Sequence, residues 1–146
     1  MLVPLVSILV LAAVGAACGS SDHEPSDLVD AQVGRRMTIE MRDIAFEPKR
    51  MAMPRGEVIE LTARNNGAVV HDFTIDKMDA DVMQMMSGGG DEGHTMDTPS
   101  RAMHIAVGAG RQAVMRMRIH QSGEYQYYCT VAGHREAGMT GVLVVE

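Results

Sequence analysis

The sequence contains few aromatic residues, with no Trp, three Tyr and two Phe among 146 residues. A hydrophobic core must therefore be filled mainly by Val, Ile, Leu and the 14 Met, whose flexible side chains fit irregular gaps. Basic residues are also in deficit, with 13 Lys and Arg against 19 Asp and Glu and a formal net charge of −6. This balance excludes nucleic acid as an expected partner. The length is that of a single domain.

Long apolar runs are absent except at the amino terminus, where residues 2–17 carry no charge and end in small side chains. The run is shorter than the roughly 20 apolar residues of a membrane span, and its pattern predicts a signal peptide over residues 1–17. Its end, Gly15 to Cys18, resembles the lipobox of bacterial lipoproteins, which implies a lipid on Cys18 that anchors the protein to a membrane. We therefore expect export to the periplasm or the outer face of the cytoplasmic membrane; an ordinary cleaved signal is the alternative.

Periodicity separates a tether from a folded domain. Residues 18–36 are polar and without sustained periodicity, which predicts a flexible tether. Over residues 37–146 apolar and polar side chains alternate with period two, as at Ile59, Leu61 and Ala63, and turn residues separate the alternating stretches. This pattern predicts an all-β fold, an antiparallel Greek-key β-sandwich of seven to eight strands.

One segment, residues 77–101, does not fit the strand spacing and is predicted to be a Met- and Gly-rich loop insertion. Met and His are soft ligands for Cu(I), so a secondary copper site in or beside this loop is one interpretation, and a loop that binds no metal is the other. The Met and His residues concerned are Met78, Met83, Met85, Met86, His94, Met96, Met103 and His104.

Only two Cys are present, and Cys18, near the membrane, is not expected to pair with Cys129 in the last strands. Cys129, His134 and Met139 follow a C-x4-H-x4-M spacing on the turn between two predicted strands. His71 lies 58 residues before Cys129, and strand alternation turns its side chain inward. A thiolate, two imidazoles and a weak thioether suit copper that cycles between Cu(II) and Cu(I).

Other uses of Cys129 fit the spacing less well. A buried core thiol would leave the spacing of His134 and Met139 without a function. Zinc accepts one Cys and two His but has no use for the Met139 thioether. A dinuclear copper centre would need a second Cys where the chain has Gly133. A cysteine hydrolase needs an exposed thiolate beside a base.

Three stretches, Asp43–Pro48, Val70–Ile75 and Gly123–Gly141, resemble the plastocyanin/azurin-like cupredoxins, the type 1 blue copper proteins. The four-residue spacer between the Cys and the second His resembles the rusticyanin and auracyanin pattern. The resemblance implies the following ligands for one type 1 copper ion: His71, Cys129 and His134 as equatorial ligands and Met139 as the axial ligand.

The resemblance also implies that the protein is a monomer that transfers electrons. It would not be an enzyme, because side chains fill all four coordination positions of the metal. Redox proteins such as cytochromes or oxidases would be its partners, and electrons would pass at the edge of His134, with Arg135 and Glu136 as docking charges. The alternative is a copper carrier or copper-resistance protein that uses the Met/His-rich loop for Cu(I).

One residue departs from the family pattern. Many cupredoxins have Asn after the first His ligand, whereas this chain has Asp72, which we expect to lie near Thr130. A carboxylate at this position would favour Cu(II) and lower the reduction potential.

Overall fold

The computed structural model describes residues 27–85 and 102–146. The predicted signal peptide, Cys18 and its lipid, and the first part of the tether lie outside the described residues. Two five-stranded sheets enclose a single core, which confirms the predicted all-β sandwich. The strands are β1 (Arg35–Arg42), β2 (Ala45–Glu47), β3 (Arg50–Met53), β4 (Val58–Asn65), β5 (His71–Ile75), β6 (Ala80–Met85), β7 (Met103–Val107), β8 (Gln112–Ile119), β9 (Gly123–Tyr128) and β10 (Thr140–Val145).

The strand order is β2-β1-β4-β8-β6 in the first sheet and β3-β10-β9-β5-β7 in the second. The described residues thus contain ten strands, and the prediction of seven to eight was wrong. Most strand pairs are antiparallel, as predicted, but β1 pairs with β4 and β3 with β10 in parallel. Two of the additional strands, β2 and β3, have only three and four residues, too few for alternation to show in the sequence.

A further strand, β6, lies inside the segment predicted to be a loop insertion. It pairs with the edge of β8, where Val82 is opposite Met117, and Ala80 and Val82 pack against the core. Pairing with β6 satisfies backbone groups that β8 would otherwise present at the sheet edge. Residues 86–101, with His94, Met86 and Met96, lie outside the described residues. Met103 and His104 belong to β7 rather than to a loop.

The folded part begins before the predicted boundary at residue 37. A short helix, α1 (Asp27–Asp30), packs against β6 and β8, and Leu28 is completely buried. The Nη1 of Arg116 donates to the carbonyl oxygens of Leu28 (3.2 Å) and Val29 (2.7 Å). Residues 27–36 therefore belong to the folded domain rather than to a tether. The helix α1 has four residues, and no helix in the described residues is long enough to cross a membrane.

Methionine fills much of the core, as the shortage of aromatic residues predicts, and three of the five aromatic rings meet in it. Phe46 lies edge-on to Tyr127, with 5.1 Å between ring centroids, and Phe73 lies 4.8 Å from Tyr127. Among the described residues, the buried Met are Met41, Met51, Met53, Met103, Met115, Met117 and Met139.

The Tyr127 ring covers β10 where it leaves the predicted ligand loop. Gly141 is the cross-strand partner of Tyr127, and a Cβ on Gly141 would lie 2.1 Å from Cζ of that ring. The ring is held from the other end, because its hydroxyl donates to the carbonyl oxygen of Pro48 at 2.6 Å. The burial raises the pKa of Tyr127 to about 12, so the phenol keeps its hydrogen.

We predict that Leu28→Ala lowers the free energy of unfolding by about 2 to 4 kcal/mol, because it removes a buried side chain. Val29→Ala is the matched control, since Val29 is 53% exposed and its truncation should change stability by no more than about 0.5 kcal/mol. Urea unfolding of the metal-free protein measures both. Equal effects of the two substitutions would show that α1 is not part of the cooperative fold.

We predict that Gly141→Ala costs about 2 kcal/mol or more of unfolding free energy, because the methyl group overlaps the fixed Tyr127 ring. Gly108→Ala is the control, since a Cβ there would meet only the flexible Arg111 side chain at 3.5 Å. Thermal and urea unfolding should rank the two variants in this order. A Gly141→Ala protein as stable as the control would contradict the close approach.

Candidate metal centre

The pairing of β5 with β9 brings two distant predicted ligands together. Thr74 of β5 is the antiparallel partner of Tyr128 of β9, so the start of β5 lies beside the residues that follow β9. His71 is the first residue of β5 and Cys129 directly follows β9. The two residues are 58 positions apart in the sequence, yet Nδ1 of His71 lies 4.0 Å from Sγ of Cys129.

Three of the four predicted ligands converge on one point. Nδ1 of His134 lies 3.6 Å from Sγ of Cys129, and the donor atoms of His71, Cys129 and His134 all lie within 4.8 Å of one another. His71 and Cys129 are completely buried, and His134 is half-buried. One thiolate and two imidazoles fit the preference of copper for soft sulfur and for imidazole.

The fourth predicted ligand, Met139, is fully buried in the same core cluster as Cys129. Its backbone N–H donates to the carbonyl oxygen of His134 at 2.9 Å, and its carbonyl oxygen accepts from the N–H of Cys129 at 3.2 Å. These bonds close residues 129–139 into a compact loop that carries three of the predicted ligands. Coordination by the Met139 thioether stays a prediction.

Asp72 joins the two strands at the site. Its Oδ1 accepts from the backbone N–H of Thr130 at 2.8 Å and from the Thr74 hydroxyl at 2.9 Å, and its Oδ2 accepts from the Thr130 hydroxyl at 2.6 Å. The expected proximity of Asp72 and Thr130 is thus present. The carboxylate is almost completely buried, and its hydrogen bonds fix the residue that follows Cys129.

Burial favours the neutral forms of the Cys129 thiol and the His71 imidazole in the metal-free protein. Burial raises the pKa of the Cys129 thiol, and hydrogen bonds from the backbone N–H groups of Asp72 and Val131 act in the opposite direction. Burial and the nearby His134 lower the pKa of His71, while the charges of Asp43 and Asp72 oppose that shift. Metal binding therefore has to displace the thiol proton, and neutral His71 is ready to coordinate.

A buried asparagine fixes the loop in front of His71. Nδ2 of Asn65 donates to the carbonyl oxygens of Val69 (2.7 Å) and Val107 (2.8 Å), and its Oδ1 accepts from the N–H of Gly67 at 2.9 Å. A Cβ on Gly67 would lie 2.7 Å from Nε2 of His71, so this loop closes directly over the ring. The sequence did not indicate this contact, because an Asn at a strand end gives no signal that it is buried.

Nε2 of His71 is buried and has no hydrogen-bond partner among the described residues. The imidazole is held by packing, with Gly67 on one side and the His134 ring 5.0 Å away between centroids. Its Nδ1 faces Cys129, so this ring nitrogen is the one available to a metal.

Comparisons with known proteins agree with this geometry. The model of the copper-binding proteins of the plastocyanin/azurin family matches residues 33–146. The copper-resistant cuproprotein CopI of Rubrivivax gelatinosus is 31% identical over 127 residues, which are 83% of this chain and 71% of that protein. The CopI of Pseudomonas aeruginosa is 22% identical over 145 residues, covering 80% and 78% of the two chains.

Among solved structures, the reduced auracyanin of the photosynthetic bacterium Roseiflexus castenholzii superposes with a TM-score of 0.60 at 20% identity, over 79% of this chain and 99% of that one. This likeness supports the fold. The family match, which includes all four predicted ligand positions, extends the conclusion to copper. The chain is a copper-binding member of the plastocyanin/azurin family.

Proposed function

We propose that the protein holds one type 1 copper ion and transfers single electrons between redox partners in the cell envelope. The observation that carries the proposal is the convergence of the Cys129 thiol with Nδ1 of His71 and of His134. A bound copper ion supplies the Cu(II)/Cu(I) couple at this point. The Met139 thioether would be the fourth and weakest ligand.

The surroundings suit electron transfer because they keep the ligands in place. Cys129, His71 and Met139 are inaccessible to solvent, and the backbone bonds of the 129–139 loop join its two ends. Ligands that the fold already holds in place need little rearrangement when the charge of the metal changes. With all coordination positions taken by side chains, no position is left for a substrate, so we propose that the protein is not an enzyme by itself.

Only one of the imidazole ligands reaches the surface. His134 is half-buried and is followed by the exposed Arg135 and Glu136. The Arg135 guanidinium lies 3.8 Å from the centroid of the Tyr128 ring, and its Nη2 donates to Gln126, which holds this charge beside His134. We propose that a redox partner such as a cytochrome or an oxidase docks here and that the monomer exchanges electrons through the His134 edge.

A second candidate function is copper resistance, which the two CopI relatives favour because they match about four fifths of this chain. In this function the protein would bind or pass on copper ions, with the Met/His-rich segment as an additional site for Cu(I). In either case we propose export to the periplasm or the outer face of the cytoplasmic membrane, with a lipid on Cys18 as anchor.

Visible spectroscopy of the copper-loaded full chain separates the two candidates. We expect an intense thiolate-to-Cu(II) absorption that Cys129→Ser abolishes, because the thiolate is the donor in that transition. Cys18→Ser removes the other thiol of the chain and should leave the band unchanged. A colourless protein that binds only Cu(I), with or without Cys129, would reject the electron-transfer proposal and require the second candidate.

We predict that Asp72→Asn raises the reduction potential, because it removes a negative charge whose hydrogen bonds end on Thr130, next to Cys129. Asn still offers one oxygen to the Thr130 N–H, so the fold should survive. Asp81→Asn, the same change on β6 of the other sheet, is the control and should leave the potential unchanged. Redox titration of both proteins is the measurement, and an unchanged or lower potential in Asp72→Asn would refute the charge effect.

A further inference from the structure

Three polar side chains form a row across the outer face of the second sheet, away from the core. Thr74 of β5 pairs with His104 of β7 on one side and with Tyr128 of β9 on the other. On β7 the neighbours Met103 and Ile105 are buried and His104 is half-buried, so His104 lies on the face opposite to the core. The side chain of Thr74 in the middle of the row is completely buried.

The hydrogens in this row can be assigned by counting donors. The Thr74 hydroxyl lies 2.9 Å from Oδ1 of Asp72 and 2.8 Å from Nδ1 of His104. A hydroxyl has one hydrogen, and a carboxylate can only accept, so Thr74 donates to Asp72. Nδ1 of His104 must then carry a hydrogen and donate to the Thr74 oxygen, which fixes the tautomer of neutral His104.

The chain of hydrogen bonds continues to the ligand loop. The same Oδ1 of Asp72 accepts from the N–H of Thr130, the residue after Cys129, at 2.8 Å. His104 is therefore connected, through Thr74 and Asp72, to the residue that directly follows the thiolate. Connected hydrogen bonds polarise one another in a buried environment, so a change of charge on the imidazole alters the field at the site.

We propose that His104 is a positioning residue of the copper centre, which orients and polarises the Asp72 carboxylate through Thr74 and makes the reduction potential depend on pH. This inference rests on the proposed function, since it concerns the potential of a redox-active copper. A protonated imidazole partly offsets the Asp72 charge and favours Cu(I). The potential is therefore highest when His104 is protonated and falls as rising pH removes that proton.

The proton balance of this coupling is simple. With copper bound, an electron from the redox partner would make the site less positive and favour uptake of one proton from solvent by His104. Reoxidation would return the electron to a partner and the proton to solvent. Imidazoles titrate between about pH 5 and 8, which is the range in which the slope is expected.

Among the described residues packed against β7, the charged groups on the face of His104 lie on β5 or directly after it. Asp72 and, just after the strand, Asp76 lie on the same face, and Asp76 accepts from the Tyr128 hydroxyl at 2.5 Å. β4 and β8 contact β7 from the other sheet. Their charged residues alternate with buried ones and lie on the far face of the sandwich: Glu60, Arg64, Arg116 and Arg118.

The test is redox titration of the copper-loaded protein across this pH range. The wild type should show a potential that falls as pH rises, and His104→Gln, which keeps a donor but does not titrate, should abolish that component. Thr74→Val removes the connecting hydroxyl and should also flatten the slope, whereas Thr74→Ser should restore it. His120→Gln is the matched control, because His120 is also half-buried beside a carboxylate, that of Asp81, but in the other sheet.

A second measurement does not need copper. In the metal-free protein, the amide NMR resonance of Thr130 should shift together with the His104 side chain during a pH titration, in the wild type and in His120→Gln but not in Thr74→Val. A pH slope that persists in His104→Gln would overturn the proposal, and so would one that Thr74→Val leaves intact. Absence of the thiolate-to-copper band would instead reject the proposed function, and the Thr130 shift would then still decide the connection to His104.

Discussion

The metal centre depends on the attachment of β5 to β9 at the end where both carry ligands. The described backbone pairing between these strands consists of Thr74 with Tyr128, and beyond it the Asp72 carboxylate makes the connection by accepting three hydrogen bonds. His71 precedes this carboxylate and Cys129 precedes its partner Thr130. A shift in this register would separate the first imidazole from the thiolate, and no other strand supplies a replacement among the described residues.

The two halves of the ligand set are constructed differently. Cys129, His134 and Met139 lie on one loop whose ends are joined by backbone hydrogen bonds, so their proximity follows from local structure. His71 reaches them only through the sheet and is kept in place by the Asn65 loop that closes over its ring. This explains why a short spacing motif predicted three ligands directly, whereas His71 required an argument from strand alternation and from the family resemblance.

Alternation predicted β1, β4 and β8 because each of these strands buries one face, as Ile59, Leu61 and Ala63 do in β4. In β5 it turned His71 inward, but every residue of that strand is buried, so burial does not distinguish the two faces. It did not detect β6, whose pairing depends on the edge of β8. α1 was missed because Leu28 alone anchors this four-residue segment, whose other apolar side chain, Val29, is exposed. The hydrogen bonds of Asp72 with Thr130 and of Asn65 with Val107 arise only from tertiary contacts, so a sequence pattern could suggest such partners but not their geometry.

The burial of the site bears on the choice between electron transfer and copper handling. A protein that delivers copper has to release it, and release requires an open path to the ligands. Here the thiol, one imidazole and the predicted thioether are closed off from solvent, and only the edge of His134 is accessible. Such a centre can exchange electrons without opening, whereas exchange of the ion would require the 129–139 loop to separate from β5. The CopI relatives suggest a role in copper resistance. If the protein has that role, the burial of the ligands favours a mechanism in which the ion stays bound and exchanges electrons. It does not favour one in which this site releases the ion.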